Sequence, residues 1–193
     1  MGRWEPNSRE RLAAAALELY GERGFEQTTV AEIAQRAGLT ERTFFRHYAD
    51  KREVLFHGAA ALEQRFVQAV AAAPGAAAPM DAVAAGLEAV AEVFICLREQ
   101  SRRRQAVIAS NAELRERELI KLASLSAALA DALRRRGVQD PAASLTAEAG
   151  IAVFKIAFER WVAPEERREL SPVMRECLRE LRTAVAADGD RDR

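Results

Sequence analysis

Residues 36–52 hold the side chains best suited to chemistry with an anion. Arg36, Arg42, Arg46, Lys51 and Arg52 stand against Glu41 and Asp50, a local charge of +3. The first 57 residues nonetheless carry nine basic and nine acidic side chains, and the whole 193-residue chain is formally neutral. Contact with a polyanion would therefore rest on local placement of charge and not on a global field. A guanidinium also offers two parallel donors to O6 and N7 of guanine, which an ammonium does not. Thr29 and Thr40 add hydroxyls at the starts of two segments separated by Gly38. Both threonines are explained as helix caps or as phosphate contacts.

Other reactive chemistry is missing from the pattern. His47 and His57 lie ten residues apart, with no cysteine or carboxylate set at metal spacing. Cys96 and Cys177 are solitary and are expected to be buried helical thiols. There is no Gly-rich phosphate loop, no Ser-x-x-Lys and no Gly-x-Ser-x-Gly. No catalytic residue, metal or cofactor is expected, so the chain does not read as an enzyme. Arg102, Arg103 and Arg104 read as a solvated helix start, with contact to DNA phosphates or an acidic ligand as the alternative.

The elements that must position the basic cluster are helical. Alanine occurs 41 times and arginine 26, both strong helix formers. The six prolines fall at segment edges, and no strand-like alternation appears. Leu12, Ala15, Ala16 and Leu19 give residues 8–22 one apolar face. Thr29-Val30-Ala31-Glu32 is a capping box opening a second helix with Val30, Ile33, Ala34 and Ala37 inward. Gly38 closes that helix, and Thr40 caps a short third helix over 41–47. Phe44 is expected in the core and Phe45 at the surface. Asp50-Lys51-Arg52-Glu53 is read as a second capping box, starting a long helix that runs to about Val70.

Residues 71–80 are low in complexity and mark a linker. Beyond it, helices are expected near 81–99, 102–110, 112–136, 142–162 and 172–187. The 142–162 segment carries two apolar stripes. One is Leu145, Ala149, Ala152 and Ile156; the other is Ile151, Phe154, Phe158 and Trp161. A helix apolar on two faces must be covered twice. Met174, Leu178, Leu181 and Val185 continue the pattern in the last helix. One face can pack within the subunit and the other against a second copy, so a homodimer is expected through the helices near 142–162 and 172–187; a helix buried centrally within one subunit is the alternative. Two Cys make no disulfide scaffold, no apolar run reaches the roughly 18–20 residues of a membrane span, and residues 1–6 show no signal sequence. A cytoplasmic protein is expected.

Two short helices meeting at a glycine turn, with a basic second helix, form a helix-turn-helix over 29–48. Residues 8–57 resemble the DNA-binding domain of the TetR family of bacterial regulators. The likeness is carried by Arg11–Ala16, Gly24-Phe25, Thr28–Ala34, Ala37–Thr40, and Thr43-Phe44-Phe45-Arg46-His47-Tyr48 followed by Lys51. It implies a DNA-binding set of Thr29, Val30, Thr40, Arg42, Thr43, Phe45, Arg46, His47, Tyr48 and Lys51. Tyr48 and Lys51 would be the phosphate clamp, with His47 near the backbone. Arg42 stands where many relatives have a small residue or proline, and Arg46 where many have an aromatic or small polar one. Both can reach guanine, while Arg46 can instead pair with Asp50 at i+4.

The resemblance also implies a small-molecule effector in the larger body, with Phe94, Ile108, Phe154 and Phe158 as candidate lining and Asn111 as a polar anchor. The expected architecture is all-α, with about nine helices. A three-helix DNA-binding domain (6–66) precedes a ligand-binding and dimerisation domain (79–187) and a flexible tail (188–193). The expected function is that of a homodimeric, ligand-released repressor on a pseudo-palindromic operator. A helical small-molecule-binding protein or enzyme without DNA function is the alternative.

Overall fold

A computed structural model describes residues 8–186; the expected tail, 188–193, and the first residues of the expected DNA-binding domain lie outside them. Among the described residues the regular structure is helical, as α1 (Ser8–Arg23), α2 (Val30–Arg36), α3 (Glu41–His47), α4 (Ala59–Ala72), α5 (Pro79–Val93), α6 (Arg98–Ala109), α7 (Ala112–Arg135), α8 (Ala142–Val162) and α9 (Leu170–Ala186). None of these helices is long and apolar enough to cross a membrane.

The chain divides into two compact units. The first comprises residues up to Ala59 together with Gln100–Leu119. Its core is built from Leu12, Ala16 and Leu19 of α1, Ile33 of α2, Phe44 of α3 and Val54, Leu55 and Phe56 after it. Val107, Ile108 and Leu114 join this cluster from the second segment. Arg104 is one reason that segment belongs here. Its Nε donates to the Leu55 carbonyl at 2.7 Å, its Cζ lies 5.0 Å from the centre of the Phe56 ring, and Glu118 is its acidic partner at 3.4 Å. Arg104 is therefore a structural tie and not part of a solvated helix start.

The second unit takes in Ala60–Glu99 and the residues from Ile120 onward. α8 is its central helix, packed on α5 and α9. Phe66, Val83, Leu87, Val90, Leu129, Leu133, Ile151, Phe154, Trp161, Val173 and Met174 make its core. Gly150 lets α8 and α5 approach closely: a Cβ there would lie 2.5 Å from Val83 Cγ1.

Three boundaries differ from the sequence expectation. The helix expected from Asp50 to Val70 is interrupted, with a 3-10 turn at Glu53–Phe56 and α4 beginning only at Ala59. Asp50 does cap this turn, accepting from the Arg52 and Glu53 amides at 2.8 and 3.2 Å. Val54, Leu55 and Phe56 of this turn are all buried. Helix 81–99 ends at Val93, and Cys96 takes the left-handed conformation at φ 64°. β-Branched Val93 and Ile95 favour this break. Cys96 is consequently exposed and outside a helix, while Cys177 is buried. Last, the first compact unit ends at Ala59 and also takes in Gln100–Leu119, whereas the domains expected from the sequence run over 6–66 and 79–187.

Candidate nucleic-acid interface

The turn between α2 and α3 is fixed at both ends by short-range bonds. Thr29 Oγ1 accepts from the Glu32 amide at 3.2 Å, and Glu32 Oε2 accepts from the Thr29 amide at 2.9 Å, completing the capping box. Gly38 sits at φ 64° and its amide donates to Gln35 at 3.0 Å, while Leu39 donates to Ala34 at 2.8 Å. That reversal requires a left-handed residue, which glycine adopts without a Cβ clash. Arg11 reaches across from α1 to the Ala37 carbonyl at 2.5 Å, satisfying an acceptor at the end of α2. Thr40 Oγ1 accepts from the Thr43 amide at 3.2 Å and shares a 3.1 Å bond with the Thr43 hydroxyl.

α3 thereby presents a defined outer face. Phe44 is fully buried, whereas Phe45 is 56% exposed and stands edge-on to Phe44, with centroids 5.5 Å apart. Arg42 and Arg46 are exposed, and neither has an acidic or carbonyl partner among the described residues. The three cations around them are committed. Arg36 pairs with Glu22 and Glu18. Arg52 holds Asp50 through Nε and Nη2 at 3.1 and 2.7 Å. Asp50, with its carboxyl held below the usual range by Arg52 and by two amides, is saturated. The Arg46–Asp50 pair allowed by the i+4 spacing is absent.

Two expected contact residues are placed differently. Lys51 Nζ donates to the carbonyls of Phe25, Glu26 and Thr28 at 2.9, 3.3 and 3.0 Å, which uses all three ammonium protons. Tyr48 is buried, and its hydroxyl donates to the Arg9 carbonyl at 3.0 Å; burial pushes its phenol up. Tyr48 and Lys51, expected as a phosphate clamp, make these bonds within the protein. Sequence spacing hid this because their partners lie 23 to 39 residues away. His47 is half-buried, with Nε2 buried and unpartnered among the described residues. Val30 is half-buried against the core.

The expected effector residues do not come together as one set. Phe94, Phe154 and Phe158 join Trp161 in an aromatic cluster, with centroids 5.2–6.4 Å apart. Trp161, whose spacing marks it only as part of an apolar stripe, is fully buried with Nε1 unpartnered among the described residues. Arg98 lies 5.2 Å over its ring. Ile108 and Asn111 belong to the other unit: Ile108 is in that unit's core, and Asn111 donates to Glu26 at 2.7 Å and caps α7 through Leu114. Apolar periodicity identified Ile108 as buried but not which core it enters.

The two stripes of α8 separate cleanly. Ile151, Phe154, Phe158 and Trp161 are buried, while Leu145 and Ile156 remain 66% and 52% exposed, with Ala152 exposed between them. On α9, Met174 and Leu178 pack inside the unit, and Val185 is 67% exposed. Among the described residues no group of three His, Cys, Asp or Glu side chains could hold a metal.

A family model described as bacterial regulatory proteins, tetR family, matches residues 12–57, and one described as the MftR C-terminal domain matches residues 77–186. The HTH-type transcriptional regulator TcmR of Streptomyces glaucescens is 37% identical over 83 residues, 43% of this chain and 37% of TcmR. The chain thus spans little more than a third of that relative. The repressor FadR of Thermus thermophilus, solved in complex with lauroyl-CoA, is 26% identical with a TM-score of 0.50, covering 90% of this chain and 92% of FadR. SmeT, the repressor of the Stenotrophomonas maltophilia efflux pump SmeDEF, shares the fold at a TM-score of 0.59 and 21% identity, covering 93% and 90% of the two chains. The matching families and relatives are transcriptional regulators and not enzymes.

Proposed function

Because this chain belongs to the TetR family of bacterial regulatory proteins, we propose that it acts as a homodimeric repressor released from a pseudo-palindromic operator by a small molecule. The observation that carries the DNA-binding half of this reading is the outer face of α3. Arg42, Phe45 and Arg46 are exposed on a helix locked by Gly38, the Thr40 cap and buried Phe44. Such a helix enters the major groove, and two copies in a dimer reach successive grooves about 34–36 Å apart. Thr40 and Thr43 flank the reading face, and Thr29, Val30 and His47 lie toward the phosphate backbone. Tyr48 and Lys51 support this face by holding its frame, not by touching phosphate.

Dimerisation falls to the outward stripe of α8. Leu145, Ala152 and Ile156 are exposed in the single chain, and a second copy covers them in an isologous interface. The effector reading rests on the aromatic cluster of Phe94, Phe154, Phe158 and Trp161, whose free indole N–H is a donor for an acceptor atom on an apolar ligand. The bound ligand releases DNA by favouring a dimer geometry that misplaces the two reading helices. A protein acting on DNA in this way works in the cytoplasm.

Binding of the full-length protein to the DNA upstream of its own gene, against an unrelated duplex at the same salt, tests the function. Expected is a preference of at least a thousandfold for one segment of that DNA. Equal binding to both duplexes would remove the regulator reading.

A further inference from the structure

We propose that Phe94 is a plug in the place of a neutral, planar aromatic ligand carrying a hydrogen-bond acceptor, and that this ligand binds by displacing the Phe94 ring from α8. This rests on the effector reading above and names the class of effector. Three rings of the aromatic cluster, Phe154, Phe158 and Trp161, stand on α8. The fourth, Phe94, follows the last turn of α5 and is only half-buried. Its ring is edge-on to Phe158 and to Trp161, with centroids 5.2 and 5.9 Å away and planes at 65° and 67°. It is tilted at 41° to Phe154, 6.4 Å away. The α8 rings thus form a socket around one ring. An aromatic ligand gains from such neighbours beyond its buried area, which a flexible acyl chain does not.

Trp161 supplies the polar requirement. Its ring is fully buried, and Nε1 has no acceptor among the described residues. A buried donor left unpaired is costly, so a ligand acceptor that reaches it gains more than an ordinary hydrogen bond. Arg98 lies over the same indole, but its terminal nitrogens donate to the Glu166 and Arg168 carbonyls. With that cation committed, a carboxylate would be buried unpaired, and the acceptor is a neutral carbonyl, as in an aryl ketone or quinone. The plug itself is weakly held. Ile95, Cys96 and Leu97 behind it are exposed. Cys96, at φ 64°, is the one non-glycine residue at positive φ among the described residues, a strain that rearrangement of the turn relieves. The bonds that close the segment are local, from the Phe94 amide to Ala91 and from the Leu97 amide to Phe94. A segment with so few buried contacts opens at low cost, and the apparent affinity is reduced only by the fraction of molecules in which the plug is seated.

The test is equilibrium dialysis of fluorenone, fluorene and lauroyl-CoA against full-length wild type, Phe94→Ala and Trp161→Phe. Fluorenone and fluorene share one flat aromatic outline and differ by a carbonyl. The wild type should bind fluorenone at least about fivefold more tightly than fluorene. Phe94→Ala should bind both ring compounds more tightly than the wild type and keep that ratio. Trp161→Phe should keep fluorene binding and lose the ratio. The Phe94→Ala result, at a half-buried position, decides the matter even if the core does not tolerate the change at Trp161. Equal affinities of the wild type for fluorene and fluorenone would overturn the proposal. So would weaker ring binding by Phe94→Ala, which would make Phe94 a wall of the site and not its plug. Binding of lauroyl-CoA without either ring compound would also overturn it, while leaving the effector reading in place with an acyl ligand. If fluorenone binds as expected but does not weaken binding to the DNA upstream of the gene, the proposal stands and the effector reading fails.

Discussion

Lys51 Nζ lies 2.9 Å from the Phe25 carbonyl oxygen and 4.4 Å over the centre of the Phe25 ring. The same ammonium reaches Glu26 and Thr28, while the Lys51 carbonyl accepts from the Tyr20 hydroxyl at 2.7 Å. Residues 25–28 are the loop that delivers Thr29, the cap of α2. Lys51 therefore sets the position of the helix-turn-helix from behind.

Lys51→Ala should behave as a stability variant. Loss of charge-assisted bonds to three carbonyls from a partly buried site costs about 1–3 kcal/mol. For a chain of this size that lowers the unfolding midpoint by about 2–4 °C per kcal/mol. The salt slope of DNA binding should stay at the wild-type value, because no phosphate contact is removed. Thermal unfolding and a salt titration check both statements. An unchanged midpoint with a slope smaller by one would return Lys51 to the phosphate backbone.

The contrast between Lys51 and Gly38 explains what the sequence discloses. Gly38, Thr40 and the Thr29–Glu32 box make their bonds within five residues, so spacing alone identifies them. The same holds for α8, where the period distinguishes Ile156 from Phe154 before any neighbour is known. Lys51, Tyr48 and Asn111 make contacts across 23 to 85 residues, and their types fit a surface role equally well. Ile108 fails for a related reason, since an apolar stripe states that a face is covered but not by what. The break at Glu53–Phe56 was hidden because Asp50 caps a 3-10 turn with the same residues that would cap an α-helix.

Gly150→Ala should destabilise the second unit. A methyl group there meets Val83 Cγ1 at 2.5 Å, closer than packed carbons tolerate. Overpacking of this kind costs about 1–3 kcal/mol, partly offset by the roughly 0.5–1 kcal/mol that alanine gains over glycine in a helix. Adding Val83→Ala should restore much of the loss, because the removed methyls make room for the added one. Urea denaturation of the two single variants and the double variant gives the coupling energy. Additive effects would remove the proposed contact.

His57 gives stability a pH dependence in the range where carboxylates stay ionised. Burial lowers its pKa, and the nearby Arg9 and Arg104 guanidiniums act in the same direction, opposed by the Val54 carbonyl and Glu10. Nδ1 lies 3.0 Å from that carbonyl, which can only accept, so the proton is assigned to Nδ1. The unfolded chain binds a proton at about pH 6.5 while the folded chain still excludes it. Stability is therefore fully present above pH 6.5 and falls as the pH drops below it. Unfolding midpoints measured from pH 7.5 to 5 should decline for the wild type and decline less for His57→Gln. Parallel curves would exclude His57 as the source.

The last prediction concerns the outer stripe of α8. Ile156 and Leu145 are 52% and 66% exposed although Ala157, next to Ile156, is buried, and Ala152 lies between them on the same face. Leaving these side chains in water forgoes about 25 cal/mol for each Å² of apolar surface that a partner could cover. A second copy supplies the same stripe by symmetry, and small Ala149 and Ala152 allow the two helices to approach. Ile156→Glu should then bury an uncompensated charge at the centre of the interface and yield monomers at micromolar concentration. The fold should survive, since the side chain is more than half exposed in the single chain and lies outside the buried core. Leu181→Glu is a poorer probe, because Leu181 packs against the core of its own unit. Light scattering gives the mass and circular dichroism the helix content. A wild-type monomer, or an Ile156→Glu dimer with unchanged dissociation, would move the interface away from α8. A monomeric variant with full helix content and weakened operator binding would tie the two half-sites to this face.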